Sequence, residues 1–374
     1  MINKLKLSVA SRQIISLISI FLINRAFLFI VGFLSVRMLP ESATNSVIKH
    51  FSSNVLLDMW ARWDSAFYLD IVKNGYVFKE GVSTSTNYSF FPGYPLAVKL
   101  FDSIFHNPVL SGIFVSNMAL LVAVIYLYKL VKMDFDDKLS YRAVFYLLIF
   151  PTSFFLSAVY PESLFLMLVV ATFYYMRTSR WLLVGILGFL CSLTRPTGAF
   201  IIIPAIYEYL RQVCFNVKKV KYNITCILLI PMGAVLFLLY LYSITGDPFA
   251  FIHRQADWGR VISFPLTSLL SIINDHSTYN IIDFMFSLFA IAGVVLSFIH
   301  LRLSYALYSL FSVFIPLSTA LLKSIPRYVV VVFPFFILLA IAGKNKKLDI
   351  AIISASLMLL SLFTALFTNW YWVA

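Results

Sequence analysis

The segment "WARWDSAFYLDIVKNGY", residues 60–76, sets a carboxylate among aromatic rings. Read as one helix over 59–74, it places Trp60, Asp64 and Tyr68 on one face at i, i+4 spacing. Trp63, Phe67 and Ile71 fall on the neighbouring face. A carboxylate flanked by such rings suits a sugar ring or a lipid-linked head group. Gly75 then stands where a helix C-cap belongs. The same spacing also describes an interfacial amphipathic helix, anchored by Trp and Tyr with its Asp turned to water. Asp70 is a rival carboxylate on this helix. Six residues make roughly 600° of rotation, so Asp64 and Asp70 face different ways, and spacing does not rank them.

A Ser/Thr stretch leads into "NYSFFPGYPLAVKLF". Pro92 and Pro95 are expected to fix a turn, with Gly93 free to adopt unusual backbone angles and an aromatic wall around it. Later span ends carry Tyr160, Pro161 and Glu162 in "VYPESLF", and Arg195 in "LTRPTG". "HRQADWGR" carries His253, Arg254, Gln255 and Trp258, and "SIPRYVVVVFP" carries Arg327 and Tyr328. Singly these read as a Pro-led helix start, a snorkelling Arg or a solvated loop. Together, a carboxylate, several Arg and a His ringed by aromatics suit a lipid phosphate. A planar guanidinium grips phosphate oxygens two at a time and keeps its charge.

The elements that must position these groups are set by composition. Of 374 residues, 61% are hydrophobic and 12% charged, and the mean hydropathy is +0.90. Soluble domains run near about 45–50% apolar and about 25% charged, so the chain is an all-α polytopic membrane protein. Apolar windows of roughly 20 residues give about eleven spans. Their centres lie near Arg25, Leu120, Ile149, Val169, Gly188, Ala205, Ala234, Ala290, Phe311, Phe333 and Leu359. The basic N-terminus leads into an apolar run from Ile14 to about Val36, too long for a signal-peptide core and expected to stay as the first span. Arg25, inside it, is expected to face the bundle and pair internally. One integral membrane domain covers 1–374, without internal repeats.

The net charge of +13 is scattered in small groups rather than a stripe, which argues against nucleic acid. With the N-terminus inside, the inner segments hold Lys4, Lys6 and Arg12; Lys129, Lys132, Lys138 and Arg142; Arg177 and Arg180; Arg211, Lys218, Lys219 and Lys221; Arg302; and Lys344, Lys346 and Lys347. That pattern obeys the positive-inside rule. It leaves both long loops, about 37–105 and 246–281, on the outer face with all the candidate polar groups. Cys191, Cys214 and Cys226 avoid those loops, so no disulfide framework is read. Neither the five His with the Cys nor the outer carboxylates have metal-ligand spacing, so no metal and no cofactor are expected.

In order from Trp60 to Arg260, "RWDSAFYLDIVKNGY", "FFPGYP", "VYPESLFLMLVVATFYY", "LTRPTG" and "HRQADWGR" resemble the PIG-V-like mannosyltransferases, with a fainter echo in "PRYVVVVFP". In eukaryotes this family adds the second mannose of the glycosylphosphatidylinositol anchor precursor. The chain lacks the longer eukaryotic loops and resembles a bacterial homologue in the cell membrane. The resemblance implies a GT-C-type bundle whose long first extracytoplasmic loop carries short interfacial helices. It also implies a polyprenyl-phosphate sugar donor, usually mannose, a glycan or glycolipid acceptor, and inversion at the anomeric carbon. The family's Trp-Asp motif falls on Asp64, which separates it from Asp70.

On that basis Asp64 is the expected base. Arg195, Arg327, His253 and Arg254 are the expected ligands of the donor phosphate. The expected substrate pocket takes Trp60, Arg62, Trp63, Tyr68, Tyr94, Tyr160, Glu162, Gln255 and Trp258. A flippase would instead place ionisable groups at the midplane, where Arg25 is the main example. A surface-polysaccharide ligase or polymerase shares the topology, and the order of the motifs favours the mannosyltransferase over both.

Overall fold

The computed structural model describes residues 9–42, 50–76, 87–273 and 277–373. Lys4, Lys6 and the Ser/Thr stretch before Asn87 lie outside them. Among the described residues every regular element is a helix. α1 (Val9–Met38) is followed by α2 (Val55–Asp58), α3 (Ser65–Asn74), α4 (Gly93–Phe105) and α5 (Pro108–Val131). Then come α6 (Asp137–Ile149), α7 (Glu162–Arg177), α8 (Trp181–Thr194), α9 (Ile202–Gln212) and α10 (Leu229–Thr245). The rest are α11 (Ala250–His253), α12 (Pro265–Leu270), α13 (Thr278–His300), α14 (Leu303–Leu317), α15 (Ile325–Val329), α16 (Phe333–Ala342) and α17 (Lys346–Thr368).

Five stretches are long and apolar enough to cross a membrane: Ser11–Met38, Pro108–Val131, Tyr222–Thr245, Thr278–His300 and Lys346–Thr368. The other expected spans are shorter helices, because the hydropathy runs on through breaks that the backbone does not cross. Pro151 follows α6, Pro161 precedes α7, Pro196 follows α8, and Pro326 and Pro334 open α15 and α16. Proline lacks the N–H that an α-helix interior requires. Irregular backbone at such breaks is tolerated in a membrane only when protein covers it. Residues 150–162 are all buried. Thr152 and Ser153 donate to the carbonyls of Pro326 and Leu148, at 2.9 and 2.6 Å.

The main apolar core joins α5, α6, α7, α14 and α16 through residues such as Leu120, Leu147, Phe165, Tyr308 and Phe336. α8 packs on α10 backbone to backbone at Gly233, where a Cβ would lie 2.1 Å from the Phe189 carbonyl oxygen. Small residues at such crossings let membrane helices approach closely. Arg25 faces the bundle from α1, is buried, and donates to Ser157 Oγ at 2.7 Å and to Asn24 Oδ1. Its hydrogen-bond partners are thus neutral.

Charges gather at both ends of the bundle. Glu162 opens α7 and Arg177 closes it, the two ends of a helix of 16 residues. At 1.5 Å per residue that separates them by roughly 22 Å. At the Arg177 end, this guanidinium holds Asp134 with two bonds of 2.5 and 2.8 Å, and Arg302 meets Glu208 at 2.7 Å. The other end carries Asp64, Arg195 and Arg327 beside Glu162.

The single helix expected over 59–74 is broken. Asp58 ends α2 because its carboxylate accepts from the backbone N–H groups of Phe51 and Ser52, from His50, and from Arg62 at 2.8 Å. Trp63 takes a left-handed φ of 52°, and Asp64 becomes the N-cap position of α3. Trp60, Asp64 and Tyr68 therefore do not share one helical face. Gly75 ends α3 with φ 71°, its N–H donating to Ile71 O. The turn expected at Pro92–Pro95 is instead the start of α4, with Pro92 at the N-cap. Gly93 needs no unusual angle; a Cβ there would lie 2.5 Å from Thr194 Oγ1, so glycine allows α4 to close on the end of α8.

Candidate active site

Four elements bring charge to one end of the bundle. The α3 N-terminus presents Asp64, whose backbone N–H donates to Tyr160 Oη at 3.1 Å. Tyr160 in turn donates to Arg62 O at 3.1 Å, so one buried phenol fastens the turn on both sides of Trp63. Glu162 sits in the first turn of α7, where a helix dipole favours an acid, behind a proline that suits a helix start. Pro196 holds the residue before it out of the helical region. Arg195 accordingly lies extended, at φ −150° and ψ 145°, at the end of α8. Arg327 comes from α15.

These side chains form a chain of alternating charge. Arg327 Nη1 lies 2.5 Å from Asp64 Oδ2, and Arg327 Nε lies 3.3 Å from Glu162 Oε1. The same Glu162 oxygen accepts from Arg195 Nη2 at 2.8 Å. Glu162 is wholly buried, whereas the Asp64 side chain keeps 21% of its surface exposed. The Arg327 guanidinium lies over Tyr160 at 5.3 Å, and that of Arg195 lies over Tyr328 at 5.2 Å.

Asp64, Arg195 and Arg327 line a cleft whose aromatic wall is Tyr68, Phe90, Trp258 and Trp372. Phe67 stacks on Phe90 at 4.6 Å, and Trp258 meets both edge-on. Trp63 packs against Trp370 and Trp372, which brings the C-terminal segment to the cleft. Two further cations line it, Arg260 and Lys323. Arg260 donates to Tyr328 Oη at 3.0 Å and to Lys323 O at 2.8 Å; Lys323 Nζ donates to Trp258 O at 3.3 Å. Among the described residues neither forms a salt bridge with a carboxylate.

A family model described as mannosyltransferase (PIG-V) matches residues 2–213, which include Asp64, Tyr160, Glu162 and Arg195. The chain belongs to the PIG-V mannosyltransferase family. It is an integral membrane glycosyltransferase. No curated protein sequence matches the chain. Its fold is similar to that of ArnT from Cupriavidus metallidurans, solved bound to undecaprenyl phosphate. The TM-score is 0.56 at 12% identity, over 93% of this chain and 76% of that one. The oligosaccharyltransferase of Archaeoglobus fulgidus, tethered to an acceptor peptide containing the NVT sequon, aligns at TM-score 0.44 and 13% identity. That alignment covers 93% of this chain and 55% of the oligosaccharyltransferase. At 12% identity the likeness to ArnT is one of fold alone.

The structure sorts this family member's expected site residues into three groups. Asp64, Arg195, Arg327, Tyr68, Gln255 and Trp258 line the cleft together. Others stand behind it. Trp60 is fully buried against Phe29, and Trp63 supports Trp372. Tyr94 is buried and donates to Gly112 O at 3.0 Å, while Tyr160 and Glu162 lie beneath the charged residues. Arg62 is also removed from the cleft, because its guanidinium is used up on Asp58, on the Thr368 carbonyl and on the Trp370 ring. His253 and Arg254 form the third group, turned into a separate cleft. Asp247 holds His253 at 2.6 Å and Asp257 lies 3.7 Å from Arg254. Asp70 is exposed and accepts from Asn74 and Asn87, each at 2.8 Å, which makes it a clasp for the chain on either side of residues 77–86.

Among the charged and aromatic cleft residues, Arg260, Lys323 and Trp372 had no role in the sequence reading, and Tyr328 was named there without being assigned to the site. Arg260 ends the quoted "HRQADWGR" and Tyr328 follows Arg327, so both were within reach of the motifs. Lys323 and Trp372 carry no local signal beyond lying at the end of an apolar run.

Proposed function

We propose that the chain transfers a hexose, mannose by its family, from a polyprenyl-phosphate donor to a hydroxyl of a glycan or glycolipid acceptor. The observation that carries this reading is the charge of the one cleft. Its lining sets one carboxylate, Asp64, against four cations, Arg195, Arg327, Arg260 and Lys323, with Glu162 and Asp283 buried behind them. A net excess of positive charge beside an exposed carboxylate and an aromatic wall suits a phosphate-linked sugar. The relative solved with bound undecaprenyl phosphate supports a donor of that class. The positive-inside rule places the Arg177–Arg302 end in the cytoplasm and the cleft on the outer face.

In this mechanism Asp64 takes the proton of the acceptor hydroxyl as its oxygen bonds to the anomeric carbon. The bond from that carbon to the phosphate oxygen breaks on the opposite face, which inverts the centre. Polyprenyl phosphate leaves as an anion and needs no general acid. Arg195 and Arg327 already have carboxylate salt bridges, whereas Arg260 and Lys323 interact with the buried Asp283 only at longer range, so these two carry most of the phosphate recognition, with Arg195 and Arg327 beside them. This differs from the sequence reading, in which His253 and Arg254 served that role. Tyr68, Trp258 and Gln255 border the sugar.

The deciding assay uses the purified chain in lipid nanodiscs with polyprenyl-phosphate mannose and a lipid-extract acceptor. Labelled mannose should appear in the acceptor fraction; no transfer from any polyprenyl-phosphate hexose would overturn the reading. Lys323→Ala and Arg260→Ala should each raise the donor KM by roughly 10–100-fold, the range of a lost charge-assisted hydrogen bond. An unchanged donor KM in both would remove them from the phosphate site.

Tyr328 supplies a pH test. Its helix, α15, has five residues and is not a spanning segment. Burial pushes the Tyr328 phenol up, but Arg260, Arg327 and Arg195 together outweigh it and bring it down to about 8. Below that pH the hydroxyl is neutral and can donate to phosphate; above it the phenolate repels the donor. Donor KM should therefore rise as pH climbs through about 8, and Tyr328→Phe should remove that rise. A KM profile identical in the two proteins would exclude the contact.

A further inference from the structure

A second cleft lies beside the first, lined by Tyr88, Thr245, Asp247, Ala250, His253 and Arg254. The two share walls. Residues 88–91 present Tyr88 to one and Ser89, Phe90 and Phe91 to the other. Residues 253–258 present His253 and Arg254 to one and Gln255 and Trp258 to the other. Ser89 Oγ donates to Phe251 O at 3.3 Å and ties the partition together.

The hydrogen-bonding groups of this cleft divide into used and open ones. Asp247 accepts from Phe249 N–H at 2.9 Å with Oδ1 and meets His253 Nδ1 at 2.6 Å with Oδ2. Thr245 Oγ1 donates to Leu241 O at 2.7 Å. With Nδ1 held by a carboxylate, His253 leaves Nε2 open to a ligand. Arg254 meets its nearest carboxylate, Asp257, only at 3.7 Å, which leaves its N–H donors open. The Tyr88 hydroxyl is buried without a hydrogen-bond partner, on a side chain 1% exposed. A buried hydroxyl left unpaired is unfavourable, and a ligand reaching it would relieve that cost.

We infer that this second cleft is a subsite for a neutral sugar of the acceptor, next to the unit that carries the reacting hydroxyl. Arg254 and Tyr88 as donors, with the open Nε2 of His253 beside them, match hydroxyl groups, which both donate and accept. Asp247 and Asp257 stand beside them and work against a phosphate. The inference rests on the reading that the first cleft transfers a sugar to a glycan acceptor.

The test is the affinity of the full chain in nanodiscs for α-linked mannobiose, read by saturation-transfer NMR. Arg254→Ala should weaken binding by about tenfold, and Tyr88→Phe by about threefold to tenfold. The Tyr88 change separates the explanations, because a hydroxyl with no protein partner contributes nothing to folding that Phe would lose. Inorganic phosphate should not displace mannobiose. The inference is overturned by wild-type affinity in both Arg254→Ala and Tyr88→Phe, by displacement with phosphate, or by no mannobiose binding to the wild type. Transfer with polyprenyl-phosphate mannose reports separately on the first cleft. Absent transfer with these binding losses intact sinks the catalytic reading alone, and the converse sinks the subsite alone.

Discussion

Asp64→Asn is expected to lower kcat by about 10²–10⁴-fold, the usual contribution of a positioned base, without raising the donor KM. Asn has nearly the same shape, and the contact that fixes this turn is made by the Asp64 backbone N–H to Tyr160, so the local fold should persist. Removing a negative charge from a cleft rich in cations also leaves phosphate binding as strong or stronger. A fall in kcat with donor KM steady or lower therefore points to lost chemistry rather than lost binding. Asp70→Asn is the matched control, because Asp70 is exposed and holds only Asn74 and Asn87. Turnover of Asp64→Asn close to wild type would end the assignment, and a loss in Asp70→Asn as deep as in Asp64→Asn would transfer it.

Glu162→Gln should be the most destabilising conservative change at this end of the bundle, by about 3–5 kcal/mol, the scale for removing one partner of a buried ion pair. Glu162 is wholly buried and its Oε1 faces both Arg195 and Arg327. Gln fills the same volume but leaves Arg327 with Asp64 alone and takes from Arg195 its salt-bridge carboxylate. Arg327 would then be drawn more firmly to Asp64, so transfer should fall along with stability. The check is the apparent melting temperature in detergent at a fixed scan rate, since such proteins often unfold irreversibly. Glu162→Asp keeps the charge and should recover part of the loss. A melting temperature equal to wild type in Glu162→Gln would show that the charge chain does not need its buried member.

Much of the functional surface was legible from local signals. Pro196 sets the backbone of Arg195 and Pro161 starts the helix of Glu162, and each effect spans only neighbouring residues. The family motifs covered the segments that carry most of the cleft, and the matched range contains Asp64 and Glu162. The helical face over 59–74 was misread because Asp58 is occupied by backbone N–H groups of residues 51 and 52 and by Arg62. That competition breaks the periodicity without altering the pattern of residue types. Five of the expected spans are helices long and apolar enough to cross a membrane, and the others are shorter helices, several of them set off by proline.

By itself the sequence determined the solvent, the helical class and the family, since these follow from composition, hydropathy and motifs in order. It also singled out Asp64 through the family's motif, although spacing did not separate it from Asp70. Tertiary structure alone decided which charges meet. Arg327 reaches Asp64 across 263 positions, and Arg195 reaches Glu162 across 33. It decided as well that Arg62 is spent on the end of α17, that His253 and Arg254 turn into a neighbouring cleft, and that Arg260 and Lys323, among the described residues, form no salt bridge with a carboxylate. The physical reason is that a charge's role depends on the partners brought within a few ångströms of it. In a membrane bundle those partners are chosen by helix packing rather than by position along the chain.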